Sequence, residues 1–299
     1  MSLATQPLIE AEGLRHCYGR SVALDGVSFT VGRGEVYALL GRNGSGKTTL
    51  IRCLLGHQKA SAGSLRLRGL DAWSQREAAL ARVGVVAEEP DAPAARTARE
   101  LMRFCAALHP GWDPAAVTAL LARFEVPLDR PSGQLSRGQK AQLALALALG
   151  PRPELLVLDD PTLGLDPVAR RQIYDELLVE LADQGTTVFI TTHDLAGIEG
   201  LASRAGILRQ GRLLAEASLE ELKSRFRRLT AVQPVDAAAL APLGPIQTRR
   251  HALGWEAVVS RFDAAALAQA TAGRAPVEVS GLSLEEIFVA LAGPEGEVG

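Results

Sequence analysis

Cysteine, aromatic side chains and surplus charge are all scarce in this chain. Three cysteines, Cys17, Cys53 and Cys105, occur in 299 residues, far apart and with no CxxC spacing. That excludes a disulfide framework and a cysteine-built zinc site, and it suits a reducing cytoplasm. The net charge of −2, from 32 basic and 34 acidic residues, provides no bulk basic field for nucleic acid. Basic runs such as KSRFRRL (223–229) therefore read as a solvated helix face. Long apolar runs are missing too: LALALALG falls well short of the ~20 residues that cross a bilayer. The start, MSLATQPLIEAEG, lacks a basic stretch followed by an apolar core, so no secretory leader is expected. Such a chain conducts nothing through a membrane by itself. What remains is globular material, 47% hydrophobic and 22% charged, suited to one large domain or a main domain with an appendage.

Along the chain, PLIEAEGLRHCYG and VALDGVSFTVGRGEVYALLG alternate apolar and polar residues between Gly and Asp turns. This predicts short, mostly antiparallel strands feeding one buried strand, VYALL. The glycine-rich GRNGSG follows, then a helix, KTTLIRCLLG, with Gly56 near its C-terminal end. AGSLRLRGLDAW reads as a hairpin turning at Arg68-Gly69, and RVGVVAEEP as a strand ending in acids. From about 97 to 150 the pattern is helical, punctuated by Pro110, Pro114, Pro127 and Pro131. ELLVLDD, the helix VARRQIYDELLVELADQG, TTVFITTHD and RAGILRQGRLLAEA then restore strand–helix alternation. The expected fold class is α/β, a parallel sheet interrupted by a helical insert at about 90–150. The main domain is expected over 1–228. A small α+β accessory domain is expected over 229–299, with strands about Leu253-Gly254 and a last amphipathic helix, SLEEIFVALAG.

GRNGSGKT, residues 41–48, fits GxxxxGK[ST] between an expected strand and an expected helix, the context that the motif requires. The glycines let the backbone fold around an anion so that successive N–H groups point at phosphate oxygens. The helix adds its positive N-terminal end. Lys47 supplies a point charge for terminal phosphates, and the Thr48 hydroxyl is a hard oxygen for Mg²⁺. LLVLDDPTLGLDP (155–167) drives an apolar strand into two like charges, Asp159 and Asp160. Without a nucleotide this is a capping turn. With one, a strand lying beside the phosphate loop brings Asp159 to Mg²⁺ near Thr48, and Asp160 is left to orient or deprotonate an attacking water.

A third stretch, LSRGQKAQLALALALG (135–150), places Ser136 and Gln139 at capping-box spacing, which aims the free N–H groups of a helix outward. Gly138 keeps that end bare, and the Leu/Ala body reads as buried. It is a second anion-binding helix end without a second Walker-type lysine.

With these parts in place, the sequence resembles the ATP-binding cassette (ABC) ATPases over residues ~8 to ~225. GRNGSGKTT matches the family's Walker A, so the resemblance implies that Gly41, Arg42, Asn43, Gly44, Ser45, Gly46, Lys47, Thr48 and Thr49 bind ATP. LSRGQ matches the LSGGQ signature, with Arg137 replacing a glycine between Ser136 and Gly138-Gln139. LLVLDD matches Walker B, LGLD (163–166) the D-loop with Asp166, and His193 in TTHD the switch histidine that meets the γ-phosphate. Tyr18 in CYGR stands where the family places an aromatic over adenine. The implied fold is a P-loop NTPase with a RecA-like parallel core, an antiparallel β subdomain and a helical insert. The implied assembly is a head-to-tail dimer in which one copy's signature completes the other's ATP site.

Two acids depart from the family pattern. Asp160 stands where Glu is usual after the Walker B Asp, and Glu88 in AEEP stands where the Q-loop Gln is usual. Asp is about 1.5 Å shorter, and misplacing a catalytic group by that much costs on the order of a hundredfold. Glu88 adds negative charge near a phosphate unless it binds Mg²⁺. Real but slow hydrolysis is therefore expected, with Asp160 and Glu88 as a co-adapted pair. The alternative is an ATP-gated clamp with negligible hydrolysis. Nothing sustains heptads and only one Walker A is present, which disfavours chromosome-repair and translation-factor types. The favoured partner is a separate transmembrane permease docking on 88–130, with the chain peripheral on the inner face of the membrane. The GLSLEEIFVALAG ending resembles subunits of ABC-2-type systems, which favours export over import.

Overall fold

The structure, a computed structural model, describes residues 6–90, 92–251, 254–272 and 276–293. The chain packs as two compact units, Met1–Leu213 and Leu214–Gly299.

In the first unit, β1 (Ile9–Tyr18) and β2 (Ser21–Val31) pair antiparallel. β3 (Val36–Leu40) follows with every residue buried, as a central strand covered on both faces requires. The phosphate-loop segment leads into α1 (Lys47–Leu54). β4 (Ala62–Leu67) pairs with the other side of β1 and returns as β5 (Leu70–Asp71). The turn between them sets Arg68 and Gly69 at φ +54° and +78°, the paired left-handed residues of a tight hairpin. These strands form a sheet of order β2-β1-β4-β5. α2 (Arg76–Leu80) then leads to β6 (Val83–Val86).

The helical insert holds α3 (Ala98–Leu108), α4 (Pro114–Arg123) and α5 (Arg137–Leu149). Each starts at a side-chain cap: Thr97 boxed with Glu100, Asp113 ahead of a proline, and Ser136 boxed with Gln139. The chain returns through β7 (Leu155–Asp159), α6 (Pro167–Gln184), β8 (Thr187–Thr192), α7 (Leu195–Glu199), β9 (Arg204–Arg209) and β10 (Arg212–Ser218). The second sheet has the order β10-β9-β3-β8-β7-β6, and its strands from β9 to β6 run parallel. Phe29 from the antiparallel sheet stacks on Tyr37 of β3 at 5.2 Å, and Tyr37 on Phe189 of β8 at 5.7 Å. A chain poor in aromatics thus concentrates three of them where two sheets share a core.

The strand carrying Asp159 and the strand that feeds the phosphate loop are not hydrogen-bonded neighbours: β8 lies between β3 and β7. Because parallel strands share a direction, the ends of β3, β8, β7 and β6 still open onto one edge, where such sheets bind ligands.

The second unit runs α8 (Leu219–Arg225), β11 (Arg227–Ala231), α9 (Ala237–Leu240), β12 (Pro245–His251), β13 (Gly254–Val259), α10 (Ala264–Ala270), β14 (Glu278–Gly281) and α11 (Leu284–Ala292). Its antiparallel sheet, β12-β13-β11-β14, packs Leu229, Leu240, Leu243, Trp255 and Val259 into a core of its own. The helix expected at SLEEIF begins at a capping box of Ser283 and Glu286. Leu253 of the expected turn lies outside the described residues. The run KSRFRRL is not a solvated helix face throughout. The helix stops at Arg225, Phe226 is buried, and Arg228 sits on a central strand paired with Glu256 and Glu286. Composition registers the charges but not the partners that neutralise them. Among the described residues no helix is long and apolar enough to cross a membrane.

Candidate functional site

The phosphate loop is built by backbone conformations that its glycines supply. Gly44 and Gly46 have φ of +78° and +112°, and Gly46 is the N-cap of α1. A Cβ on Gly46 would lie 2.6 Å from Ala23 O, so the loop also needs that position bare. Arg42, Asn43 and Gly44 are exposed at the loop's tip, Thr48 is exposed, and Thr49 is half-buried. Ser45 is buried, and its hydroxyl has no hydrogen-bond partner among the described residues. Lys47 is only 8% exposed, and its ammonium donates back to Gly41 O at 2.6 Å and Arg42 O at 3.4 Å.

The charges of three carboxylates act on that ammonium. Burial pulls the Lys47 pKa down from its ordinary value, and the negative charges of Asp160, Asp159 and Glu88, in that order, oppose the pull. Asp159 closes β7, where Thr191 of β8 donates its hydroxyl to Asp159 Oδ1 at 2.6 Å. Burial raises the Asp159 pKa and the neighbouring Asp160 raises it further, against the Thr191 hydrogen bond and the Lys47 charge. Asp160 itself sits at φ +49°, a left-handed conformation that Asp tolerates better than Glu. Its amide donates to Thr191 O at 3.0 Å, and its Oδ1 lies 2.7 Å from His193 Nδ1 and accepts from the His193 amide at 3.3 Å. The buried acid thus holds a ring that remains half-exposed. Glu88, just past β6, is exposed.

The remaining expected residues lie outside this cluster. Tyr18 ends β1, 44% exposed, with its ring edge-on to His16 at 4.7 Å. Ser136 and Gln139 form the expected reciprocal box, Gln139 N to Ser136 Oγ and Ser136 N to Gln139 Oε1, both at 3.1 Å. Ser136 and Arg137 are exposed, whereas the body of α5 is buried. Gly138 has a packing role besides bareness, since a Cβ there would lie 3.1 Å from Ala169 Cβ on α6. Arg137 lays its guanidinium over Gly164 of the LGLD turn, leaving 2.5 Å between Nη1 and the place of a Cβ. Asp166 accepts from the amides of Val168 and Ala169, each at 2.9 Å, and so caps α6.

The sequence reasoning missed Thr191, which touches both acids. Its place two residues before His193 in TTHD, on an all-buried strand, was the available signal. Among the described residues no group of three or more His, Cys, Asp or Glu side chains could hold a metal unaided. Exposed Thr48 and the carboxylates are nonetheless the hard-oxygen donors that Mg²⁺ takes together with phosphate oxygens. The orphaned Ser45 hydroxyl and the bare cradle at Gly46 fit a phosphate chain.

A family model described as "ABC transporter" matches residues 24–163. The Bacitracin transport ATP-binding protein BcrA of Bacillus licheniformis is 35% identical over 232 residues, 77% of this chain and 76% of that protein. The Nod factor export ATP-binding protein I of Ralstonia nicotianae is 37% identical over 231 residues, 74% of this chain and 70% of that protein. A solved ATP-binding subunit of an ABC transporter superposes with a TM-score of 0.66 at 28% identity, covering 73% of this chain and 92% of its own. CbiO1 from Clostridium perfringens, part of the ABC transporter complex cbiONQ, gives 0.64 at 27%, covering 73% and 91%.

Proposed function

The chain belongs to the ABC transporter family as an ATP-binding subunit, and from that premise we propose the roles of its residues and its partners. One observation carries the proposal: Asp160 Oδ1 lies 2.7 Å from His193 Nδ1, while the charges of Asp160, Asp159 and Glu88 act on the buried Lys47. The amides of 42–48 and the Lys47 ammonium bind the phosphates of ATP, and Tyr18 packs on the adenine. Thr48, Asp159 and Glu88 hold Mg²⁺, which when bound neutralises charge on the phosphates. Asp160 orients or deprotonates the attacking water, and His193, fixed by Asp160, meets the terminal phosphate. Hydrolysis is real but slow, because the Asp160 carboxylate is held back both by its short side chain and by its bond to His193.

Ser136, Arg137, Gly138, Gln139 and Asp166 serve a second ATP-binding subunit, completing its nucleotide site from across a head-to-tail interface. The exposed Ser136 and Arg137 at the start of α5 support this, because a helix N-terminus open to solvent is suited to an anion. The subunit pair energises a separate transmembrane permease and is peripheral on the inner face of the membrane through it. The names of the two relatives, bacitracin transport and Nod factor export, favour an exporter. No nucleic acid takes part.

The test is phosphate release by the chain copurified with its membrane partner. Lys47→Ala and Ser136→Arg are each expected to abolish nucleotide-dependent pairing and turnover. Undiminished pairing and turnover in both variants overturns the proposal. Pairing without phosphate release above background, when every site carries this chain, leaves a clamp rather than a motor.

A further inference from the structure

We propose that Arg170 is a positioning residue for hydrolysis, tying the LGLD turn to the switch histidine within one subunit. The inference rests on the proposal that Asp160 and His193 act on ATP. Arg170 stands on the first turn of α6, and its two terminal nitrogens point to two different segments. Nη2 donates to Leu165 O at 3.3 Å, and Nη1 lies 3.5 Å from Asp194 Oδ2. Asp194 directly follows His193 and caps α7, its Oδ1 accepting from Gly197 N at 3.2 Å. Its own amide donates to Thr192 Oγ1 at 3.0 Å. On the other flank, Leu163 N donates to Asp160 O at 3.0 Å, and Asp160 holds the His193 ring. These contacts close a circuit from Asp160 through Leu163 and Leu165 to Arg170, Asp194, His193 and back.

Arg170 is the link in this circuit that joins the LGLD turn to the segment after His193. It lines a cavity of about 380 Å³ with Tyr174, Asp194, Gly197 and Leu201 among others, and although its Nε is buried without a hydrogen-bond partner among the described residues, its terminal nitrogens reach Leu165 O and Asp194. Asp194 has a side chain only 12% exposed, and a carboxylate so desolvated is costly without its cation. Losing Arg170 would send that carboxylate toward water, uncap α7 and release the neighbouring His193 from Asp160. Lysine does not replace it, because a single ammonium cannot span two acceptors as the guanidinium fork does.

The experiment uses the full chain as wild type, Arg170→Met, Arg170→Lys, Asp194→Asn and the double variant Arg170→Met/Asp194→Asn. Expected are a kcat about tenfold lower in Arg170→Met with KM for MgATP nearly unchanged, and little recovery in Arg170→Lys. The double variant is expected to be no slower than Arg170→Met alone, since both break one link. Without nucleotide, hydrogen exchange should rise together in 162–170 and 191–198 of Arg170→Met and stay unchanged in β3. The inference is overturned by a wild-type kcat in Arg170→Met, by losses that multiply in the double variant, or by exchange that rises in only one segment. Should Arg170→Met not fold, Asp194→Asn, which keeps the cap oxygen and drops the charge, is read on the same two measurements. A wild-type chain that does not turn over ATP counts against the hydrolytic roles proposed above, and the exchange arm still judges this one.

Discussion

Asp160→Asn removes a charge while leaving the shape, and it separates catalysis from folding. Asn tolerates the left-handed backbone at φ +49°, and its amide oxygen can still accept from the His193 amide, now 3.3 Å from Asp160 Oδ1. The fold should therefore hold. Removing one of two adjacent negative charges also relieves Asp159, whose raised pKa comes partly from Asp160, so Tm should stay level or rise by about 2 °C. Turnover is another matter. A general base contributes about 10²–10⁴-fold, or roughly 3–5 kcal/mol of barrier, and Asn cannot take a proton. The assay is single-turnover hydrolysis at saturating MgATP, with nucleotide affinity and Tm measured on the same preparation. Asp160→Asn that binds ATP, melts normally and hydrolyses at the wild-type rate would refute the role given to this carboxylate. Asp160→Glu is the companion: Glu fits a left-handed backbone less well, so about 1 kcal/mol of stability should be lost.

Other outcomes follow from the same geometry. Asp159 has a folded-state pKa above its ordinary 3.8, so below 3.8 its burial costs nothing. As pH rises through the window up to the raised value, the unfolded chain releases a proton that the folded one keeps, and stability falls; above that window the cost is constant. Asp159→Asn should therefore melt about 2–4 °C above wild type at pH 7.5 and close to it near pH 4, by calorimetry without nucleotide. Gly46→Ala places a methyl 2.6 Å from Ala23 O on a residue at φ +112°, and ATP binding measured by titration should be lost. Ser136→Ala deletes one half of the capping box and should lower stability by about 1 kcal/mol in a denaturant melt, while Ser136→Thr should retain most of it.

Much of this protein was legible before folding because its signals are local. A glycine-rich loop between an apolar strand and a helix, a Ser-x-x-Gln ahead of a Leu/Ala helix, and an Arg-Gly hairpin turn each depend on residues a few positions apart. Turn and cap chemistry acts over that range. The structure holds each of them where the pattern placed it: α1 after Gly46, α5 after Ser136, and the β4–β5 turn at Arg68-Gly69. The basic run 223–229 was misjudged because the acids that pair with Arg228, Glu256 and Glu286, lie far along the chain.

The sequence by itself determined which residues can carry the chemistry, because phosphate-binding loops, caps and strand-end acids are written in contiguous residue types. Only the tertiary structure decided how they meet. It inserted β8 between β3 and β7, brought Thr191 onto both acids, closed Asp160 onto His193, and laid Arg137 over Gly164. The reason is physical: the order of parallel strands is set by crossover connections and by burial of whole faces, and no local pattern encodes which strand ends will be neighbours.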